Sequence, residues 1–245
     1  MHPFKMLSEY GPLLLEGAWL TIQLSGLALL IGALLAMPMS VARCSPRAWL
    51  SVPVRIYISF FRGTPMLAQL FLVYFGAGQF RHELQAVDLW WLFRDPFYCA
   101  LLTFVLNTTA YQAELLRGGI LGVPRGEVEA ARAYGMSAWL RYRLIVMPHA
   151  YRIAFPALGN EVILLLKGSA IASVVTLFDL MGQTRAIFAK SFDFSIYLWA
   201  ALLYLLITMV IVRIWRYLEK RINPHLQRRV IQAPKAVKTA VTATE

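Results

Sequence analysis

Long apolar runs alternate along this chain with short, strongly basic connections, a pattern that predicts an all-α integral membrane protein. Gly17 to Ala42 carries no charge over 26 residues, enough helix to cross a hydrocarbon core of about 30 Å. A second stretch, Gly63 to Gln79, opens on Thr64-Pro65, where a proline at a helix start forfeits no hydrogen bond. A third, Phe97 to Ala113, ends at Glu114 and Arg117, and a fifth, Ser195 to Val212, ends at Arg213 and Arg216. The fourth, Ala157 to Phe178, contains Glu161 and Lys167 and is interrupted at Lys167-Gly168-Ser169. An interrupted apolar segment with internal charge predicts a discontinuous helix lining a cavity or a protein interface.

Charge in the connections orients these five spans. Arg43 to Arg62 holds four arginines and no acid, Arg117 to Arg152 holds six arginines against Glu127 and Glu129, and the segment from Arg213 onward is strongly basic. Gln79 to Pro96 balances Arg81 and Arg94 against Glu83, Asp88 and Asp95, and Ser169 to Asp193 balances Arg185 and Lys190 against Asp179 and Asp193. The basic connections belong inside, so five spans place the amino end out and the carboxyl end in. Arg62 with Gly63-Thr64-Pro65 reads as the start of the second span with a headgroup contact, in preference to an anion site. Glu114, three residues before Arg117, reads as a local i,i+3 pair.

Composition agrees with the hydropathy and removes several alternatives. The chain is 59% hydrophobic and 15% charged, with a mean hydropathy of +0.58. Its 245 residues suit five or six spans and leave too few for an added nucleotide-binding domain of about 100–200 residues. No GxxxxGK[ST] phosphate loop occurs, so any ATP is expected on a partner. Cys44 and Cys99 show no pairing or metal spacing, the four histidines are scattered, and neither HExxH nor a Ser-His pair stands at membrane depth. The first residues lack a cleavable-signal pattern, so the first segment is expected to stay as an anchor. The net charge of +11 follows from topology and contact with anionic lipid, and nucleic acid need not be invoked.

One polar island, residues 124–148, carries a more specific pattern. Pro124 fits the first helical position, Glu127 and Glu129 sit near the positive end of a helix dipole, Arg132 near the other end, and Gly135 fits C′, where a left-handed backbone is needed. A second helix can begin with Ser137 as its cap and run through Trp139-Leu140-Arg141-Tyr142-Arg143 toward Pro148. Such a helix-turn-helix protrusion can push on a partner; an amphipathic loop lying on the inner leaflet would use the same arginines and aromatics. Spacing favours the first. Glu129-Ala130-Ala131, three residues, Gly135, nine residues, then Ile145-Val146-Met147-Pro148 resembles at every fixed position the EAA loop by which bacterial ABC importer permeases grip their ATPase, with Met147 in place of a common leucine.

The resemblance widens to Phe61-Arg62-Gly63-Thr64-Pro65-Met66, Asn107-Thr108-Thr109-Ala110-Tyr111-Gln112-Ala113-Glu114, Gly126 to Met136 and Asn160-Glu161-Val162-Ile163-Leu164. Across roughly residues 12–225 the chain is similar to membrane subunits of the polar amino acid and opine branch of ABC importers. That likeness implies a type I importer permease fold, a sister or identical permease subunit, two ATPase subunits that hold ATP and Mg, a periplasmic solute-binding protein, and residence in the bacterial inner membrane, with no cofactor on this chain. The expected layout is a short periplasmic amino end at 1–12, a transmembrane permease domain at 13–222 that includes a coupling loop at 124–148, and a basic, flexible cytoplasmic tail at 223–245. Lys167-Gly168-Ser169-Ala170-Ile171-Ala172 departs from the Ser/Thr-Ser/Thr-Leu-Ala run common at that place. A secondary transporter or channel working without an ATPase is the rival class, and the loop spacing argues against it.

Ionisable and polar residues inside the spans are the candidates for the solute pathway, because an unpaired charge at mid-bilayer costs about 2.5–3.5 kcal/mol. Glu161 leads, either as a contact for a cationic or amino group or as a structural hydrogen-bond partner between spans. Asn160 and Lys167, seven apart, share a face if the helix is unbroken. Lys167 either binds a carboxylate or snorkels to the outer headgroups, the more economical reading. Gln112 and Tyr111 complete the set, and aromatic packing accounts equally well for Tyr111.

Overall fold

The structure, a computed structural model, describes residues 3–222, and every regular element in it is helical. The expected tail at 223–245 lies outside the described residues. Helix α1 spans Pro3–Arg43, α2 Ala48–Gly63, α3 Met66–Gln79, α4 Arg81–Ala86, α5 Trp90–Arg94 and α6 Pro96–Leu121. Then follow α7 Arg125–Ala133, α8 Ala138–Arg141, a π-helical turn Tyr142–Val146, α9 Met147–Gly168, a 3₁₀ stretch Ser169–Val175, α10 Leu180–Ser191 and α11 Ser195–Ile222.

Three segments are long and apolar enough to cross a membrane: Glu9–Arg43, Ala138–Val175 and Ser195–Ile222. The pair α2 and α3, bent by 103° at its break, makes a fourth if it is taken as one span. Helix α6 has the length to cross, 26 residues or about 39 Å, yet is less apolar than these. Its polar residues explain that difference, because Asn107, Thr108, Thr109 and Gln112 are all buried within the chain. By contrast only 17% of the most apolar window of α11 is buried, which leaves an apolar outer face suited to lipid.

Helix α6 is the axis of the bundle. Leu24 and Ala28 of α1 pack against Ala100, Phe104 and Val105, and farther along Ala36 packs with Ala113 and Leu116. The two helices therefore run parallel. Helix α9 runs against α6, since Ala154 meets Ala113 while Leu165 meets Phe104. Small residues set the approach distances: a β-carbon on Gly32 would lie 2.6 Å from the Thr108 methyl, and one on Gly119 would collide with the backbone of Ala150.

Several expected boundaries move. The lead-in expected at 1–12 is helical from Pro3 and continuous with α1, through Pro12. The arginine-rich connection Arg43 to Arg62 is mostly α2, whose face of Val54, Tyr57, Ile58 and Phe61 packs with Ala36, Ala110, Ala113 and Leu116. Arg55 and Arg62 interrupt the hydropathy run, which is why the second span looked as if it began at Gly63. The helix expected to run from Ser137 toward Pro148 continues through it into α9, so the fourth long segment starts at Ala138, well before Ala157. A proline lacks an N–H and clashes with the carbonyl four residues back; the wider π turn just before Pro148 absorbs that clash without ending the helix. The interruption expected at Lys167-Gly168-Ser169 is present as the change from α9 to the 3₁₀ stretch.

Gly119→Ala should destabilise the chain by about 1–3 kcal/mol through overpacking of α6 on α9. The neighbouring Gly118, which has open space around it, supplies the control. In detergent, thermal unfolding of Gly119→Ala should begin at a lower temperature than that of Gly118→Ala, and coincident transitions would contradict this close approach.

Candidate functional site

Two clusters of functional side chains emerge, one at the end of the bundle and one halfway along α6. The end cluster is the segment 124–148. Pro124 is the cap residue of α7, one position before the place expected for it. At the other end Gly135 has φ +74°, its N–H donates to the Arg132 carbonyl at 3.0 Å, and the Met136 N–H donates to the Ala131 carbonyl at 3.1 Å. That paired arrangement is a Schellman stop, which needs a left-handed residue where Gly135 stands. Two residues later the Ser137 hydroxyl accepts from the Leu140 N–H at 3.3 Å and starts α8. A tight stop followed directly by a capped start makes a rigid corner.

What that corner presents is known residue by residue. Glu129 and Ala130 are exposed on α7, while Ala131 is buried beneath them. Tyr134 and Trp139 are 89% and 72% exposed, large aromatics with little to cover them in this chain. Ile145 is half-buried in the π turn, and Pro148 is exposed in the first turn of α9. Val123, Val146, Met147 and Ala150 anchor the corner to Ile120 at the end of α6. His149 Nε2 lies 3.3 Å from Glu127 Oε2 and ties α9 back to α7, a tie that spacing alone did not reveal.

The second cluster is a polar layer across the middle of the bundle. Asn107 Nδ2 donates to the Phe61 carbonyl at 3.1 Å and to Gln69 Oε1 at 2.9 Å. Gln69 Nε2 in turn lies within reach of the Phe61 carbonyl, the Thr64 carbonyl and Thr64 Oγ1, at 3.0, 3.1 and 2.8 Å. These side chains satisfy carbonyls set free where α2 breaks into α3, as a helix break at membrane depth requires. On the other side of α6, Thr108 Oγ1 donates to Glu161 Oε1 at 3.0 Å, and Gln112 Nε2 reaches Thr108 Oγ1 at 3.1 Å and the Leu29 carbonyl at 3.3 Å.

The pathway candidates therefore separate. Glu161 and Gln112 are buried and joined through Thr108, so the structural hydrogen bond between spans is the contact Glu161 makes here. Asn160 and Lys167 are exposed on α9, which is unbroken between them. Lys167 borders a groove with Met181, Ala201, Tyr204 and Thr208. Glu114 and Arg117 form the local pair at 2.6 Å. Tyr111 carries the Arg62 guanidinium over its ring, 5.2 Å from the centroid. Among the described residues no three His, Cys, Asp or Glu side chains gather as a metal site. Gln69 escaped sequence reasoning altogether, although a glutamine within a short apolar stretch was a visible signal.

Residues 28–224 match the family of binding-protein-dependent transport system inner membrane components. The chain belongs to this family. The permease is 40% identical over 237 residues to the nopaline transport system permease protein NocM of Agrobacterium fabrum strain C58, covering 96% of this chain and 98% of that one. It is 39% identical over 212 residues to the histidine/lysine/arginine/ornithine transport system permease protein HisM of Escherichia coli K12, covering 86% and 89%. Among solved structures, an amino acid ABC transporter described with histidines superposes with a TM-score of 0.78 at 33% identity, over 89% of this chain and 98% of that one. An inward-facing form of the methionine transporter MetNI superposes with a TM-score of 0.73 at 19% identity over 87% and 98%, which shows the shared fold. The protein is thus a type I permease subunit of an ABC importer, in which ATP hydrolysis belongs to separate subunits.

Replacing Asn107 by leucine strips the donor from Gln69 Oε1 while adding little volume. The expected loss is about 1–3 kcal/mol, the desolvation cost of a buried acceptor left unpaired. Thermal or denaturant unfolding of the purified permease in detergent measures it, and an unchanged transition would mean that the layer is not a structural tie.

Proposed function

We propose that this permease subunit moves polar or basic amino acids, or opines derived from them, inward across the bacterial inner membrane. It would act with a sister or identical permease, two ATPase subunits and a periplasmic solute-binding protein. The observation that carries this reading is the rigid corner at Gly135, a left-handed stop that points exposed aromatics away from the bundle in the segment matching the coupling loop. Its occupant would be a groove on the ATPase. Glu129, Ala130, Ala131, Gly135, Ile145 and Pro148 would form or support that contact, while ATP and Mg stay on the ATPase.

The directions of the helices support five crossings, with α1 and α6 running one way, α9 the other, and the bent pair α2 and α3 returning the chain between the first two. With the basic connections inside, the amino end lies out and the carboxyl end in. The substrate class follows from the likeness to nopaline and to histidine/lysine/arginine/ornithine permeases. ATP binding would draw the two ATPases together, displace the corners and turn the cavity outward, and hydrolysis would reset it. Glu161, Asn160, Lys167 and Gln112 would lie on or beside the solute route, with Glu161 and Gln112 reached only if the Thr108 contact opens.

Purification of the tagged chain from native membranes in mild detergent, followed by mass spectrometry of its companions, tests this reading. Wild type should bring down an ATPase, and Gly135→Val should lose most of it because a β-branched residue is strained at φ +74°. Recovery of the ATPase with both would sink the docking role of the corner. Recovery with neither, under conditions that preserve other importers, would favour transport without an ATPase.

A further inference from the structure

The arginine that closes α2 does not lie where a loop or headgroup residue would lie. The Phe61 carbonyl next to it accepts from Asn107, and its own guanidinium rests over Tyr111. Tyr111 stands ten residues before the end of α6 at Leu121 and fifteen after its start at Pro96, roughly 15 and 22 Å along the helix axis. Arg62 is therefore held beside the polar layer, about one turn of α6 from the Glu114–Arg117 pair. It is also exposed on the surface of this chain.

Among the described residues no oxygen accepts a hydrogen bond from the Arg62 side chain, and no carboxylate lies within ion-pair distance. Glu114 and Glu161 are near enough to feel its charge but neither reaches it; an exposed guanidinium within a spanning bundle is unfavourable against lipid, so this face must border a watery passage or a partner. Arg55 and Ser59, seven and three residues earlier, are exposed too and continue a polar strip along α2 toward the basic end of the bundle. The planar fork of an arginine matches a carboxylate through two parallel hydrogen bonds, and stacking on Tyr111 fixes its orientation beforehand.

We infer that Arg62, braced by Tyr111, binds a carboxylate of the solute as it crosses the middle of the permease. The assignment rests on the amino acid or opine importer reading and adds a specific contact to it. It complements the acidic candidate Glu161, which is bonded to Thr108 in the same layer and lies within electrostatic range of Arg62. Every amino acid and opine carries at least one carboxylate, so an arginine here accepts the feature they share and leaves discrimination to other groups.

The test uses the whole importer complex, purified with its ATPases and without the solute-binding protein. Equilibrium binding of L-arginine, nopaline and agmatine is compared, agmatine being arginine without its carboxylate. Wild type should bind L-arginine or nopaline more tightly than agmatine. Arg62→Gln should weaken the carboxylate-bearing probes by roughly ten- to a hundredfold, the worth of a hydrogen bond to a charged group, and leave agmatine unchanged. Arg62→Lys should recover part of the loss.

Equal weakening of all three probes, no weakening of any, or no binding of L-arginine and nopaline to an intact wild-type complex would overturn the assignment. Dissociation of the permease pair in Arg62→Gln, read by size and mass, would also overturn it by showing that the guanidinium pairs with an acid of the neighbouring subunit. A wild-type chain that carries no ATPase would instead remove the importer reading itself.

Discussion

The constraint on which this structure depends is that polar groups in the middle of a lipid-embedded bundle must find their partners within the protein. Asn107, Thr108 and Gln112, on successive faces of α6, meet that requirement for most of the molecule. They hold the Phe61 carbonyl and Gln69 of the broken pair, Glu161 of α9 and the Leu29 carbonyl of α1. Around that layer the contacts are apolar and closely spaced, as at Gly32 and Gly119. Apolar packing in lipid has little hydrophobic drive to fix one arrangement, so small residues and hydrogen bonds set the register.

The same layer explains why a break between α2 and α3 is tolerable. Gly63-Thr64-Pro65 interrupts the helical ladder and leaves carbonyls without intrahelical donors. Gln69 folds back over them and is itself held by Asn107, while Thr64 Oγ1 donates to the Phe60 carbonyl at 2.8 Å. The bend thus becomes a fixed corner beside the polar layer, and Arg62 is held there because it occupies the last turn before it.

Much of this was legible in the sequence, and the failures share a cause. Periodicity and charge found the long apolar segments, the interruption at Gly168 and the stop at Gly135, because each is a local property of a few adjacent residues. Hydropathy misplaced α2 since Arg55 and Arg62 break its apolar run although its inner face is continuous. It found the apolar part of α6, Phe97 to Ala113, but stopped short of its end at Leu121 and could not show that its polar residues point inward. The helix read as running from Ser137 toward Pro148 goes on through it, because the π turn before Pro148 lets the helix pass. The pairing of Asn107 with Gln69, 38 residues apart, and of Thr108 with Glu161, 53 apart, is tertiary, and nothing in the local pattern could announce it.

Continuity through Pro148 has a mechanical consequence that the separate motifs do not suggest. From Ala138 in the end corner to Glu161 in the polar layer the chain is helical throughout, 24 residues or about 35 Å long. The π turn with Pro148, and Pro156 within α9, are the points at which this helix can bend, so a displacement at Trp139 would be shared between bending there and a tilt or shift of the segment that carries Glu161. The Thr108 to Glu161 bond is then the point at which that motion is opposed, and Gly119 against Ala150 is the close contact about which it can pivot. The Glu127 to His149 contact adds a side-chain link between α7 and α9. One continuous helix thereby joins the end corner to the polar layer.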